Sequence, residues 1–183
     1  VNLEEAKELM KGSLAQENLR KHCIAVSAIM RGIAKELGRD EEEFALAGML
    51  HDIDFEQTKE APEKHGILAA KTLEGKVNER ILHAIMAHNF EYTGVRPETE
   101  LDYALIVSDA LSGLVVATAL VMPDKKLASI SRETLKRKFK QKDFARRCNR
   151  EHILYCEKIG IPLERLFEIA LDSMKEVAAE LGL

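Results

Sequence analysis

Residues 103–121 read YALIVSDALSGLVVATALV, nineteen positions whose one charged side chain is Asp109. The run approaches the roughly 20 apolar residues that cross a bilayer. Ser108, Asp109 and Ser112 interrupt it, however, and no second such segment accompanies it. The reading that fits is a central helix buried in a helical protein. A lone carboxylate on such a helix is too costly to bury without a strong partner. Asp109 therefore predicts either imidazoles gathered around a divalent metal or a hydrogen bond to Ser108, Ser112 or a neighbouring helix.

The sequence on either side of this run is helical in pattern. Leu3 to Met10 forms a short helix that ends near Gly12. Asn18 to Leu37 forms a longer one with a stripe of Leu19, Cys23, Val26, Met30, Ile33 and Leu37, and Gly38 stops it. Asp40 caps a helix through Phe44, Ala47 and Leu50 to His51-Asp52, and Asp54 to Ala61 reads as a loop. Pro62 starts the next helix, Asn78 caps another through Ile81, Leu82, Ile85 and Met86, and Asn89 to Pro97 is a loop.

The long helix runs from about Glu98 to Val121, and Met122-Pro123 breaks it. Helices follow at Leu127 to Ile130, Arg132 to Phe139, Arg150 to Ile159 and Leu163 to Leu181. Aromatics are only 5% of the chain, and no strand, repeat or linker shows. The fold class is all-α: a single-domain helical bundle over 1–183, with a metal-binding core at about 18–112 and the helices of 124–181 packed on it.

The formal charge of −4 makes no general electrostatic case for nucleic acid or membrane. One segment is basic, KRKFKQKDFARRCNR from Lys136 to Arg150. It reads as a solvated helix surface or as a rim attracting a phosphorylated substrate. Cys23, Cys148 and Cys156 are odd in number and have no ligand spacing, and no signal peptide is visible, so reduced thiols and a cytoplasmic location are expected. The stripe Leu166, Phe167, Ile169, Ala170 and Met174 serves either the core or a homodimer seam.

His22, His51, Asp52, His65, His88 and Asp109 fall where one metal centre can be assembled. His22 alone also reads as a satisfied core residue, and His51-Asp52 alone as a chance dipeptide. His65 shares a face with Leu68, Ala69 and Thr72, and His88 borders the inward face of its helix. His83 lies on the opposite side and reads as a surface residue. Asp102, at the start of its helix, answers to the helix dipole. Imidazole with carboxylate suits iron, manganese, zinc or nickel better than magnesium. Six ligands suffice for two ions, with Asp52 as the bridge, which points to hydrolysis of a phosphate ester.

This pattern resembles the HD superfamily of metal-dependent phosphohydrolases, marked by an early His, an adjacent His-Asp and a later Asp. His22, His51-Asp52 and Asp109 carry that resemblance over about residues 18 to 112. His65 in KHG and His88 in AHN match the two further histidines of binuclear members, which implies two iron or manganese ions and phosphoester hydrolysis. LHDIDFEQTKEAPEKHG, AIMAHN and SGLVVATALVMPDKKL are similar to a small subgroup of HD hydrolases of unknown substrate. The regulatory-nucleotide hydrolases place an acidic pair soon after His-Asp; Asp54 and Glu56 stand there in a different arrangement. The Gly-Tyr-Pro signature of the cyclic-dinucleotide enzymes is absent.

The expected function is thus metal-dependent hydrolysis of a phosphomonoester or phosphodiester. The expected partner is a small phosphorylated molecule, a nucleotide among the candidates, without membrane or nucleic acid. Catalytic candidates are Asp52, Asp54, which orients water or protonates the leaving group, and Lys64, a point charge for phosphate. Lys64, Asn89, Tyr92, Thr93, Lys125 and Lys126 are substrate-binding candidates by their place in sequence. Two alternatives stand beside this reading: a diiron oxygenase of the same fold, and a binding protein whose metals only hold the helices together.

Overall fold

Four polar side chains open four helices by accepting otherwise unpaired backbone N–H groups. Asn2 and Thr99 do so in full capping boxes, Asp40 accepts from Glu42 and Glu43, and Asn78 accepts from Ile81. The computed structural model describes residues 1–183 and contains helices and turns without a strand. In chain order the helices are α1 (Leu3–Ser13), α2 (Glu17–Leu37), α3 (Glu41–Leu50), α4 (Ile67–Leu73), α5 (Glu79–Ala87) and α6 (Phe90–Thr93). They continue as α7 (Glu100–Val121), α8 (Arg132–Lys140), α9 (Arg150–Leu154), α10 (Leu163–Glu176) and α11 (Ala178–Leu181). Short 3-10 turns occupy Pro62–Lys64, Leu127–Ser129 and Tyr155–Ile159.

Two helices rather than one form the centre. Every residue of α3 from Phe44 to Leu50 is buried, as a helix apolar all round must be. It is enclosed by α1, α2, α5 and α7. The long helix α7 packs against α2, α3, α5, α9 and α10, so the segment with membrane-like composition lies inside the bundle. The α2–α3 crossing depends on Gly48: a Cβ there would stand 2.7 Å from Ser27 Cα. With glycine the two backbones touch, and Ser27 Oγ donates to Ala45 O at 2.8 Å. The α10 stripe, Leu166, Phe167, Ile169, Ala170 and Met174, is buried within this chain's own core.

Several boundaries differ from the sequence reading. Pro62 opens only a 3-10 turn, because Gly66 at φ 92 interrupts the path and α4 starts at Ile67. His65 therefore sits in extended backbone ahead of α4 rather than on its face. The expected loop after His88 contains the helical turn α6, closed by Gly94 in the left-handed region. The terminal helix is divided at Val177, and the expected helix from Arg150 gives way to 3-10 geometry at Tyr155.

Candidate metal centre

Five separate pieces of chain deliver six side chains to one place. His22 comes from the second turn of α2, His51 and Asp52 from the end of α3, and Asp109 from the middle of α7. His65 precedes α4 and His88 follows α5. His22, His51, Asp52 and Asp109 offer ligand atoms all within 4.8 Å of one another, and Asp52, His65 and His88 form a second such group.

Asp52 belongs to both groups and divides its oxygens between them. Oδ2 lies 3.5 Å from His22 Nε2 and 3.3 Å from His51 Nε2. Oδ1 lies 3.2 Å from His65 Nε2 and 3.4 Å from His88 Nε2. Asp109 Oδ1 closes the first group, 2.8 Å from His22 Nε2 and 3.5 Å from His51 Nε2.

The outer ring nitrogens show what the inner ones are prepared for. His51 Nδ1 bonds Gly48 O at 2.7 Å, His88 Nδ1 bonds Ile85 O, and His65 Nδ1 bonds Asp54 Oδ1 at 2.8 Å. His22 Nδ1 is 3.3 Å from Ser112 Oγ. A carbonyl or carboxylate can only accept, so His51, His65 and His88 donate from Nδ1 and turn Nε2 inward, the orientation of a metal-ligating histidine. His51 Nε2 is buried without a hydrogen-bond partner. His65 Nε2 and His88 Nε2 face each other at 3.1 Å. Two lone pairs at that distance repel, so a proton or a cation must lie between them. The donor set of imidazoles and carboxylates therefore fits a divalent ion.

The electrostatics of the protein alone point the same way. Burial opposes charge on His51, yet the Asp52 and Asp109 carboxylates raise its pKa well above the ordinary value. Burial also opposes ionisation of Asp52, but His51, His65 and His88 hold it well below the carboxylate range. Desolvation also opposes ionisation of Asp109, but the hydrogen bond from His22 and the charge of the nearby His51 keep its pKa low. Desolvation likewise works against the cation of His65, while bonds to Asp52 and Asp54 raise it to about 9. Protons thus stand where cations would. Cys23, buried beside this cluster, is pushed up to about 12 and stays a thiol.

The remaining sequence candidates divide. Asp54 is not free for acid–base work: Oδ1 accepts from His65, and Oδ2 accepts from the Gly66 and Ala69 amides at 2.8 and 2.9 Å. It positions His65 and caps α4. Glu56 accepts from the Ala15 and Gln16 amides at the start of α2. Asn89 Nδ2 is committed to Pro62 O and His65 O, and Thr93 Oγ1 to Met86 O. Both therefore brace the site instead of facing substrate. Lys64 is exposed and makes no ion pair, and Tyr92 is 62% exposed. Lys125 and Lys126 lie beyond the end of α7, about 18 Å of helical rise past Asp109, outside the centre.

Two further expectations need correction. His83 is half-buried, not a surface residue, with Nδ1 2.9 Å from Oδ2 of the fully buried Asp102. Asp109, expected deep in the core, keeps 35% of its side chain exposed and stands at the mouth of the centre with His22 at 26%. A groove of about 520 Å³ leaves that mouth past Ser112, Gly113, Val116 and Leu120. A smaller cleft of about 230 Å³ adjoins His88 and is lined by Tyr92, Asn149 and His152. Sequence reading assigned no role to the last two.

No solved structure matches the chain. It is 39% identical to Ribonuclease Y of Lawsonia intracellularis over 99 residues, which are 53% of this chain and 18% of that protein. With Ribonuclease Y of Geobacter metallireducens it is 28% identical over 170 residues, 90% of this chain and 32% of that one. Ribonuclease Y of Nitratidesulfovibrio vulgaris is 35% identical over 101 residues, again 53% of this chain and 18% of the relative. The chain spans a third or less of the length of these curated relatives. Their shared name overturns the expectation of a small phosphorylated partner with no nucleic-acid signal, in which net charge was the argument against nucleic acid. The HD domain model matches residues 19–113, just over half the chain, across every one of the six converging side chains, and this protein belongs to the HD domain family.

Proposed function

We propose that this centre hydrolyses a phosphodiester of RNA with two divalent ions, manganese or iron, which His22, His51, Asp52, His65, His88 and Asp109 would hold. The observation that carries the reading is the division of the Asp52 oxygens between two histidine sets, each ring with its Nε2 turned inward. His22, His51 and Asp109 would complete one ion's shell, and His65 with His88 the other's. Such ions supply Lewis-acid neutralisation of phosphate charge and a water of lowered pKa. The chain's own residues do the positioning. Gly48 O, Ile85 O, Asp54 and Ser112 fix the four imidazoles by their outer nitrogens. The exposed edge at His22 and Asp109 admits the diester, and Lys64, beside His65, offers a point charge to a phosphate oxygen.

The names of the relatives support RNA as the polymer. The test joins metal analysis to hydrolysis. Protein loaded with manganese or iron should hold two ions per chain and shorten an unstructured RNA. Asp52→Asn should lose both ions and the activity, while His88→Ala should retain one ion at most. Full activity of the Asp52→Asn protein, or RNA left intact by the fully loaded wild type, would end the proposal.

A further inference from the structure

Arg150 has no carboxylate partner, and its guanidinium is wrapped in carbonyls. It donates to Lys138 O, Phe139 O and Gln141 O at the end of α8, and to Phe144 O, Ala145 O and Cys148 O in the following loop. The six donor–acceptor distances run from 2.6 to 3.2 Å, with the two Nη2 hydrogens shared among Lys138 O, Gln141 O and Phe144 O. Three of the acceptors belong to the negative end of a helix dipole. Residues 142–147 are turns, and one cation joins six carbonyls across them and their flanks. Ala145 adopts φ 48, a left-handed conformation that L residues rarely take. Its carbonyl receives both Arg150 and the Cys148 amide.

Most cations of this segment have no close acidic partner. Lys136 is taken by Glu164, and Lys138 lies over the Phe144 ring. Lys140, Lys142, Arg146 and Arg147 are exposed. The loop's one acid, Asp143, is 98% exposed and only reaches 4.0 Å from Arg146. Residues 136–150 carry a net charge of +7, so the rest of the chain carries −11. Positive charge is gathered here against the trend of the molecule.

The end of the loop is part of the wall of the metal centre. Cys148 packs where a Cβ on Gly113 would be 3.1 Å from its sulfur, one residue after Ser112, the partner of His22. Asn149 and His152 line the cleft next to His88, together with the exposed ring of Tyr92. A basic segment whose end, Asn149, shares a cleft with the exposed Tyr92 ring supplies the two elements that hold single strands, phosphate charge and base stacking.

We propose that Lys140, Lys142, Arg146 and Arg147, held in place by Arg150, form a track for the backbone phosphates of single-stranded RNA leading to the His/Asp centre. The track rests on the reading that the centre acts on RNA. Arg150 is a positioning residue, and the four exposed cations make the contacts.

The test measures anisotropy of a fluorescein-labelled unstructured 12-nucleotide RNA with metal-loaded full chain between 50 and 200 mM salt. Hydrolysis of bis(p-nitrophenyl) phosphate is followed in parallel. The Lys140→Gln, Lys142→Gln, Arg146→Gln, Arg147→Gln variant should bind RNA more weakly, and its log–log salt slope should flatten by roughly 3, at 0.7 per lost phosphate contact. Its rate on the small diester should equal the wild type's. Arg150→Lys, with charge conserved, should also flatten the slope. Equal affinity and slope in wild type and quadruple variant would overturn the track, and RNA still cleaved would leave the reading beneath it standing. RNA bound by the track but never cut, while the small diester is hydrolysed, would instead remove that reading. Unchanged RNA binding with loss of binding to phosphatidylserine vesicles would reassign the loop to membrane and overturn the proposal.

Discussion

Asp52 spends its two oxygens on two different sets of imidazoles, and the proton inventory around it sets the first prediction. His65 titrates at about 9 in the metal-free protein because Asp52 and Asp54 outweigh its desolvation. The stability that this cation adds to the metal-free fold is full below about 6.5, its ordinary value, and is lost as pH rises through about 9. A metal ion competes for the same nitrogen. Apparent affinity at the Asp52–His65–His88 group should therefore climb from pH 6.5 to about 9 and level off above, measured by manganese titration at constant ionic strength. Asp54→Asn removes the carboxylate that orients His65 and should weaken that affinity about 10- to 100-fold. Unchanged affinity would mean that the orientation of His65 does not depend on Asp54. His22 and Asp109 were legible because each stands out against an apolar helix, His22 among Leu19, Cys23 and Val26, Asp109 between Val107 and Leu111. Asp54 was misread. Its carboxylate faces back through the turns of 51–60 towards the Gly66 and Ala69 amides, and turn geometry leaves no period in the sequence.

The helix elements hold that geometry through close backbone contact, most tightly where α2 and α3 cross. In Gly48→Ala the new methyl would meet Ser27 Cα at 2.7 Å and Ser27 N at 2.8 Å, both backbone atoms that cannot swing aside. Overpacking of this kind costs typically about 1–3 kcal/mol. The two helices that separate are those carrying His22 and His51, so Tm and metal affinity should fall together. Gly12→Ala is the contrasting case: nothing lies within 4 Å of the added methyl, and the residue sits inside α1. It should stabilise by about 0.4–1 kcal/mol through the unfolded chain and leave metal binding alone. A Gly48→Ala protein that melts and binds metal like wild type would refute the crossing as the frame of the centre. Helix starts were readable because Asp40 and Asn78 cap by local chemistry. The second buried helix was harder to see, since α3 is short and its all-round burial comes from four neighbours that only the tertiary fold supplies. The loop wound on Arg150 was invisible as well, because six carbonyls gathered by one side chain obey no repeat.

Over the whole molecule a metal-loaded centre would act as a fastener. α2, α3, α7 and the segments before α4 and after α5 have few covalent constraints between them, yet all send ligand atoms to one point. A cation gripped there binds only the folded chain, so its binding free energy adds to stability. At one hundred times Kd the gain is about 2.7 kcal/mol. For a chain of this length each kcal/mol raises Tm by about 2–4 °C, so manganese should lift Tm by about 5–11 °C and a chelator should reverse it. Protons already compensate the carboxylates when metal is absent, which is why the metal-free chain should remain folded and melt cooperatively. For the same reason the lift should be smaller at pH 6.5 than at pH 9, where His65 no longer holds its proton against the ion. Asp52→Asn takes one oxygen charge from both groups at once and should abolish the lift at either pH, whereas neutralising the exposed cations of 140–147 should leave it intact. Calorimetry of the three proteins with and without manganese separates the fastener from the track. A lift that survives Asp52→Asn would place the stabilising ion elsewhere in the fold.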